Sequence, residues 1–265
     1  MGNAHPGALI RRPDDASHVA ELVLDRPEAL NAISTALAES ITAATAMLAA
    51  DRTVRAIVLS SSAEKAFCVG ADLKERHSFT DDDLGRQRPI SRAAYTSVLD
   101  LPVPVVAAVH GFALGGGCEL ALACDLVVAD ESAVFGLPEV SVGVIPGGGG
   151  TQLLARRLGW GRAADLIFTA RRVAAAEAYR LGLADRLVPA GSARDEAIQL
   201  ASTIAGHSPV GVRNAKQAMR LGLDAPLRSG LEIEDARWRA TAFSGDRREG
   251  VAAFNEKRTP DWPGE

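Results

Sequence analysis

Apolar and polar positions along the chain follow two different rules on either side of residue 190. In the first part, short apolar runs alternate with amphipathic ones. HVAELVLDR (18–26) and VRAIVLSS (54–61) predict strands, and VPVVAAV (103–109) predicts a strand buried on both faces. STALAESITAATAMLAA (34–50) predicts a helix, with Ser34 or Thr35 as its cap. FCVGADLKE (67–75) reads as a loop entering a helical turn, and LVVADESAVFGLPEV (126–140) as short strands and a turn. RHSFTDDDLGRQRP (76–89), polar and punctuated by Gly and Pro, reads as a mobile loop that shapes a pocket. IPGGGG (145–150) is a hard turn. TQLLARRLG, GRAADLIFTA and AAAEAYRLGL then predict helices, and DRLVPA (185–190) a short strand. Beyond residue 191 only helices are predicted, with breaks at 207–209, 224–226 and 244–246. The expectation is an α/β core over 1–190 and a helical region over 191–265, with no linker and no fixed-period repeat.

Composition narrows this picture. Apolar residues make up 47% of the 265-residue chain but aromatics only 5%, so Ala, Val, Leu and Ile must build the core. A net charge of −4 gives no support to general polyanion binding. Cys68, Cys118 and Cys124 are odd in number and lack metal spacing, which points to a reducing compartment, read as cytoplasmic, with no disulfide frame or zinc site. MGNAHPGALIRR lacks the apolar stretch of a secretory signal, and Pro6 breaks the myristoylation pattern. Residues 101–118 carry no Asp, Glu, Lys or Arg and are long enough to span a bilayer. Pro102, Pro104, His110 and the glycines break that run, so strand, turn and helix start explain it better. His110 reads as a packed core or strand-end residue rather than a base, and Trp238, Phe243 and Phe254 as helix packing.

The candidate chemistry lies in GFALGGGCELALACD (111–125). A helix start presents free N–H groups with partial positive charge. Gly115–Gly117 would let a ligand oxygen approach those amides, or would simply allow tight packing. A second donor is available in CVGADL (68–73), where Gly70 precedes Ala71. Glu119 falls in the first helical turn, where it either serves the helix dipole or acts as an acid–base group. Glu139 in GLPEV (136–140) is either a surface turn residue or the second carboxylate of such a pair. PGGGG (146–150) lacks the Lys-Ser/Thr of a phosphate loop and reads as a flexible turn before a helix capped by Thr151.

LVLDRPEALNAIS, AFCVGADLKE, LPVPVVAAVHGFALGGGCELALACD, FGLPEVSVGVIPGGGGTQLLARRLG and FNEKR occur in this order. Over residues 18–262 the chain resembles the enoyl-CoA hydratase/isomerase, or crotonase, superfamily. It looks most similar to the branch of methylglutaconyl-CoA and AU-rich-RNA-binding hydratases. The resemblance implies a crotonase-like spiral of ββα units with a helical C-terminal region that assembles trimers or hexamers. It implies an acyl-CoA substrate, with coenzyme A as part of the substrate and no separate cofactor or metal. The backbone N–H groups of Ala71 and Gly116 would hold the thioester oxygen, and Glu119 and Glu139 would be the hydratase pair. Ala29, the segment Ala71, Asp72, Leu73 and Lys74, Gly116, and Lys257 would contact the CoA thioester, Lys257 sometimes from a neighbouring subunit. Residues 31–50 contain no Lys or Arg, unlike the RNA-binding relatives, so no nucleic-acid partner is expected. The reaction implied is hydration of a trans-2-enoyl-CoA. Isomerisation between the 3- and 2-enoyl forms and specificity for methylglutaconyl chains are the alternatives.

Overall fold

The computed structural model describes residues 4, 5 and 7–265. The readings of the N-terminus rest in part on residues 1–3 and 6, which lie outside the described residues. Strand β1 (Ala4–His5), β2 (Ala8–Arg11), β3 (Val19–Leu24), β4 (Ala56–Ser61), β6 (Val105–Val109), β8 (Leu126–Asp130) and β11 (Arg186–Val188) form one sheet in the order 1-2-3-4-6-8-11. A second sheet runs β10 (Arg172–Ala174), β9 (Val134–Gly136), β7 (Phe112–Leu114) and β5 (Ala66–Cys68). From β3 to β11 the first sheet is parallel, so each strand needs a crossover to reach the next. Those crossovers repeat: β4 leads to β5 and then helices, β6 to β7 and a helix, β8 to β9 and helices. The chain therefore advances as a spiral of ββα turns.

Alternation along the parallel strands separates two cores. Ile57, Leu59, Val105, Ala107, Val109 and Val127 face the larger one, which also takes Phe67 and Phe135 from the second sheet. Ala56, Val58, Val106, Ala108 and Val128 face the other way, onto Ala197, Ala201 and Ala205 of α8 (Ala193–Ala205). The α1 helix (Thr35–Ala50) is capped by Ser34, whose Oγ accepts from the Leu37 N–H at 3.2 Å. His110 ends β6, with Nε2 2.8 Å from the Ala63 carbonyl.

Three expectations are corrected. Most of 76–89 is helical: α2 (Leu73–His77) is followed by α3 (Asp81–Leu99). Thr80 and Asp83 close a capping box, and Asp81–Asp83 sit favourably at the positive end of the α3 dipole. Pro89 lies inside α3, opposite Gly85 one turn earlier, which has no Cβ. Thr151 is not a cap; α5 (Gly150–Leu158) starts after Gly149 with no side-chain cap. Trp238, Phe243 and Phe254 do not pack within the chain, being 63%, 77% and 84% exposed.

Helices α4 (Gly116–Ala123), α6 (Trp160–Thr169) and α7 (Ala175–Leu181) complete the core, and α9 (Pro209–Leu223), α10 (Leu227–Ala242) and α11 (Gly245–Glu256) follow it. Asp125 fastens α9 to the sheet by accepting from Lys216 Nζ, Arg220 Nη2 and the Val105 N–H, each at 2.8 Å. A second fastening lies on the α8 side. Glu21 is fully buried on β3 and accepts from Ser60 Oγ at 2.7 Å and from Arg194 through two bonds of 2.7 and 2.8 Å. Burial would raise its carboxyl, but the Arg194 fork and the Ser60 hydroxyl outweigh burial and hold it below the usual carboxylate range. Arg194→Met is expected to cost about 3 kcal/mol of stability in urea unfolding, because it leaves a buried charge unpaired. The double variant Glu21→Leu/Arg194→Met should recover most of that loss. A double variant no more stable than the single would refute this account.

Candidate active site

Two loops that the sequence could not place together are in contact. Gly70, at φ +91°, backs onto the start of α4 so closely that a Cβ there would lie 2.8 Å from the Leu114 carbonyl and 3.1 Å from the Gly116 nitrogen. Ala71 forms a parallel bridge with Ile33 that uses the Gly70 carbonyl and the Asp72 N–H. In extended backbone the intervening amide points the other way. Among the described residues neither the Ala71 N–H nor the Gly116 N–H has a protein acceptor. Both residues line a cleft of about 1060 Å³.

The three glycines have separate reasons. Gly115 turns the chain at φ +51° and ψ −123°, a conformation that disfavours a side chain. Gly117 lets α4 meet β5: a Cβ there would lie 2.0 Å from the Cys68 carbonyl oxygen. Gly116 lies between them, and its N–H is left open to the cleft.

Glu119 follows in the first turn of α4, 2% exposed. Its Oε1 accepts from the Gly148 N–H at 2.7 Å and the Gly150 N–H at 2.8 Å. The 146–150 turn is thus an anion cradle after all, but the anion is a carboxylate of the protein itself. Burial pushes the Glu119 carboxyl up, and those amides and the Arg88 guanidinium oppose the rise. Glu139 stands in the 3-10 turn Pro138–Val142, with Oε2 buried and without a protein partner among the described residues. Its carboxyl is pushed up to about 7, first by burial and further by the Glu119 charge, while its own backbone N–H works against the shift. Two acids of unequal proton affinity therefore face one cleft.

The remaining predicted residues divide. Leu73 is 61% exposed and lines the same cleft. Asp72 is buried as the cap of α2, accepting from the Lys74 and Glu75 N–H groups and from Arg26 Nη1 at 2.6 Å. Lys74 is exposed beside it, outside the cleft lining. Ala29 ends the 3-10 turn Pro27–Ala29, and Lys257 is an exposed left-handed C-cap of α11; neither lines the cleft in this single chain. Sequence reasoning missed the work of Gly148 and Gly150. It also missed Tyr95, whose ring stands between Gly116 and Gly148, and Arg88, whose Nη2 donates to the Gly147 carbonyl at 2.8 Å. The glycine run was the one signal for them, but it does not show which anion sits on it.

Because the folded pKa of Glu139 lies above its ordinary value, the native state holds the extra proton between about pH 4.5 and about 7. Stability from this group is present below 4.5 and is lost as pH rises through 7. Glu139→Gln is neutral throughout. It should therefore raise Tm relative to the parent protein by about 2 °C or more at pH 8, and by less at pH 5. An equal difference at the two pH values would count against the shifted carboxyl.

Two backbone N–H groups without a protein acceptor and two carboxylates line one cleft, an arrangement able to stabilise a developing oxyanion while protons move. The chain belongs to the enoyl-CoA hydratase/isomerase family, whose sequence profile matches residues 14–265. The mitochondrial enoyl-CoA hydratase domain-containing protein 2 of Homo sapiens is 42% identical over 250 residues, covering 93% of this chain and 86% of that protein. The mitochondrial methylglutaconyl-CoA hydratase of Mus musculus is 41% identical over 248 residues, covering 92% of this chain and 79% of its own. The crystal structure of enoyl-CoA hydratase from Bacillus anthracis superposes with a TM-score of 0.94 at 40% identity, covering 98% of this chain and all of that one. The fold is therefore the crotonase fold, with two sheets and a helical C-terminal region.

Proposed function

We propose that the protein is an enoyl-CoA hydratase that adds water across the 2,3 double bond of a trans-2-enoyl-CoA. The observation that carries this reading is that both carboxylates, Glu119 and Glu139, line one cleft together with Ala71 and Gly116. Moving a proton between carbons needs one base; adding water needs a group to take its proton and a group to protonate carbon. Hydrogen bonds from Ala71 and Gly116 to the thioester oxygen draw electrons from the double bond and make C3 electrophilic. Glu119, with one oxygen held by two amides, is the water-activating carboxylate. Glu139, protonated in part near neutral pH, delivers the proton to C2. Water oxygen bonds C3, and the product is a 3-hydroxyacyl-CoA. The kcat/KM is then expected to fall as pH rises through about 7, as Glu139 loses its proton.

The direct test is loss of the conjugated thioester absorbance of crotonyl-CoA, run in oxygen-18 water. Label in a 3-hydroxy product supports hydration. Conversion of a 3-enoyl-CoA without label would replace this reading with isomerisation.

Self-association as a trimer or hexamer belongs to the same reading. It is supported by the exposed Trp238, Phe243 and Phe254 on the helical region 191–265. In this division residues 1–190 bind the acyl-CoA, and Ala29, Asp72, Lys74 and Lys257 contact its CoA portion at the rim. No nucleic-acid role is proposed, since residues 31–50 lack Lys and Arg. No helix among the described residues is long and apolar enough to cross a membrane. The human and mouse relatives are named mitochondrial; for this chain, three buried free thiols support a reducing interior, read as the cytoplasm.

A further inference from the structure

Tyr95 is 7% exposed, and a hydroxyl at that depth normally has a hydrogen-bond partner in the protein. Among the described residues this one has none, and it lies in the cleft wall. A Phe would fill the same space without leaving a polar atom unpaired. The hydroxyl is thus explained by what the cleft receives rather than by the packing around it. The ring is fixed along its length. A Cβ at Gly148 would lie 2.7 Å from Tyr95 Cγ and Cδ2 and 2.8 Å from Glu119 Oε2, so the root of the ring and that carboxylate flank one glycine. The tip reaches Gly116, where a Cβ would lie 2.3 Å from Tyr95 Oη. Cβ and N of one residue are about 2.5 Å apart, so Oη stands within about 5 Å of the Gly116 nitrogen. An N–H and an O–H that share one acceptor oxygen can stand up to about 5.7 Å apart, so a single ligand oxygen reaches both. Burial, and after it the Glu119 charge, push the Tyr95 pKa well above its ordinary value, so the group stays an O–H donor.

The geometry points to Tyr95 as a further catalytic residue, whose O–H is a third donor, beside the Ala71 and Gly116 amides, to the carbonyl oxygen of the bound thioester. This rests on the hydratase reading of the same cleft. The hydroxyl stands at the amide end of the ring and the carboxylate at its root, so the donor serves the oxygen rather than the acid pair. As water adds to C3 that oxygen gains negative charge, and a donor already aimed at it strengthens its bond in the transition state. Tyr95 is held for this work by α3, whose neighbouring residues Ala94 and Val98 are buried in the core.

Tyr95→Phe removes the donor and keeps the ring between Gly116 and Gly148. Its Tm should equal or exceed that of the parent protein, since no bond within the protein is lost. With crotonyl-CoA its kcat should fall about tenfold, the effect of one charge-assisted hydrogen bond, while KM stays within about twofold. That loss is smaller than the one expected for a displaced Gly116 amide. A spectroscopic readout stands apart from turnover. Cinnamoyl-CoA, whose double bond is conjugated with its phenyl ring and so resists hydration, absorbs at longer wavelength when its carbonyl oxygen accepts hydrogen bonds. The shift seen on binding to the parent protein should shrink in Tyr95→Phe. Equal shifts in the two proteins overturn the inference, whatever the rates. So does a variant that hydrates crotonyl-CoA at the parental rate. A rate loss with an unchanged shift and a displaced pH midpoint would put the hydroxyl on the carboxylates instead, and overturns it as well. A shift that shrinks in the variant while the parent protein hydrates no enoyl thioester would uphold the donor and remove the hydratase reading.

Discussion

Glu119→Gln and Glu139→Gln are each expected to lower kcat for crotonyl-CoA hydration by at least about 100-fold, the lower bound for a lost acid–base group. In the Glu119→Gln variant the side-chain carbonyl oxygen can still accept from the Gly148 and Gly150 amides, so the fold of the 146–150 turn should persist. What disappears is the charge that draws a proton from water. The Glu139→Gln change keeps the shape of its turn, but the new amide can no longer release a proton to carbon. If both groups serve one addition step, the double variant should be little worse than the poorer single. Two variants with near-parental rates would remove the assignment of both residues. Two independent, multiplying losses would mean that the acids serve separate steps.

Gly116→Ala should be almost as damaging while leaving both carboxylates in place. A methyl there would lie 2.3 Å from the Tyr95 hydroxyl and 3.1 Å from Ile33 Cδ1, so the start of α4 must shift. A misplaced Gly116 N–H loses its hold on the oxyanion, which costs about 100- to 1000-fold in kcat. Pairing the change with Tyr95→Phe removes the nearest obstacle and leaves the next contact at 3.1 Å, so part of the rate should return. Steady-state kinetics of the two singles and the double checks this. No recovery in the double variant would show that Tyr95 is not what the added methyl meets.

The strands β3, β4 and β6 and the helix α1 were legible because each is a run of five or more residues with unbroken burial or a clear cap. The strands β7, β9 and β10 have three residues each, too few to show a period. The α3 helix hid behind its own composition. Its first turns carry Asp81–Asp83, Gly85 and Pro89, residues that signal a loop in isolation, and its helical state depends on a cap and on burial of Gln87, Ser91 and Tyr95. Of the site, Glu119 and Gly116 stood out as an acid and a glycine run at a helix start; Ala71 and Glu139 were candidates from their loops, and the resemblance singled them out. The bond between Glu119 and the amides 29 and 31 residues later could not be read, because backbone donors leave no mark in the identity of a side chain.

Pro89 gives α3 a seam. It has no N–H to return to Gly85, so the ladder of the helix is interrupted there. The stretch before it is held by a surface cap and by the Gln87 side chain, which reaches Thr35 and Glu75; the stretch after it is sunk in the core through Ala94, Tyr95 and Val98. Deuterium uptake should accordingly rise abruptly on the N-terminal side of Pro89, with amides near 92–99 silent until the whole molecule opens. With that result, one wall of the chamber would yield while its neighbour stays moored, and cargo of differing bulk could enter without disturbing the floor beneath it.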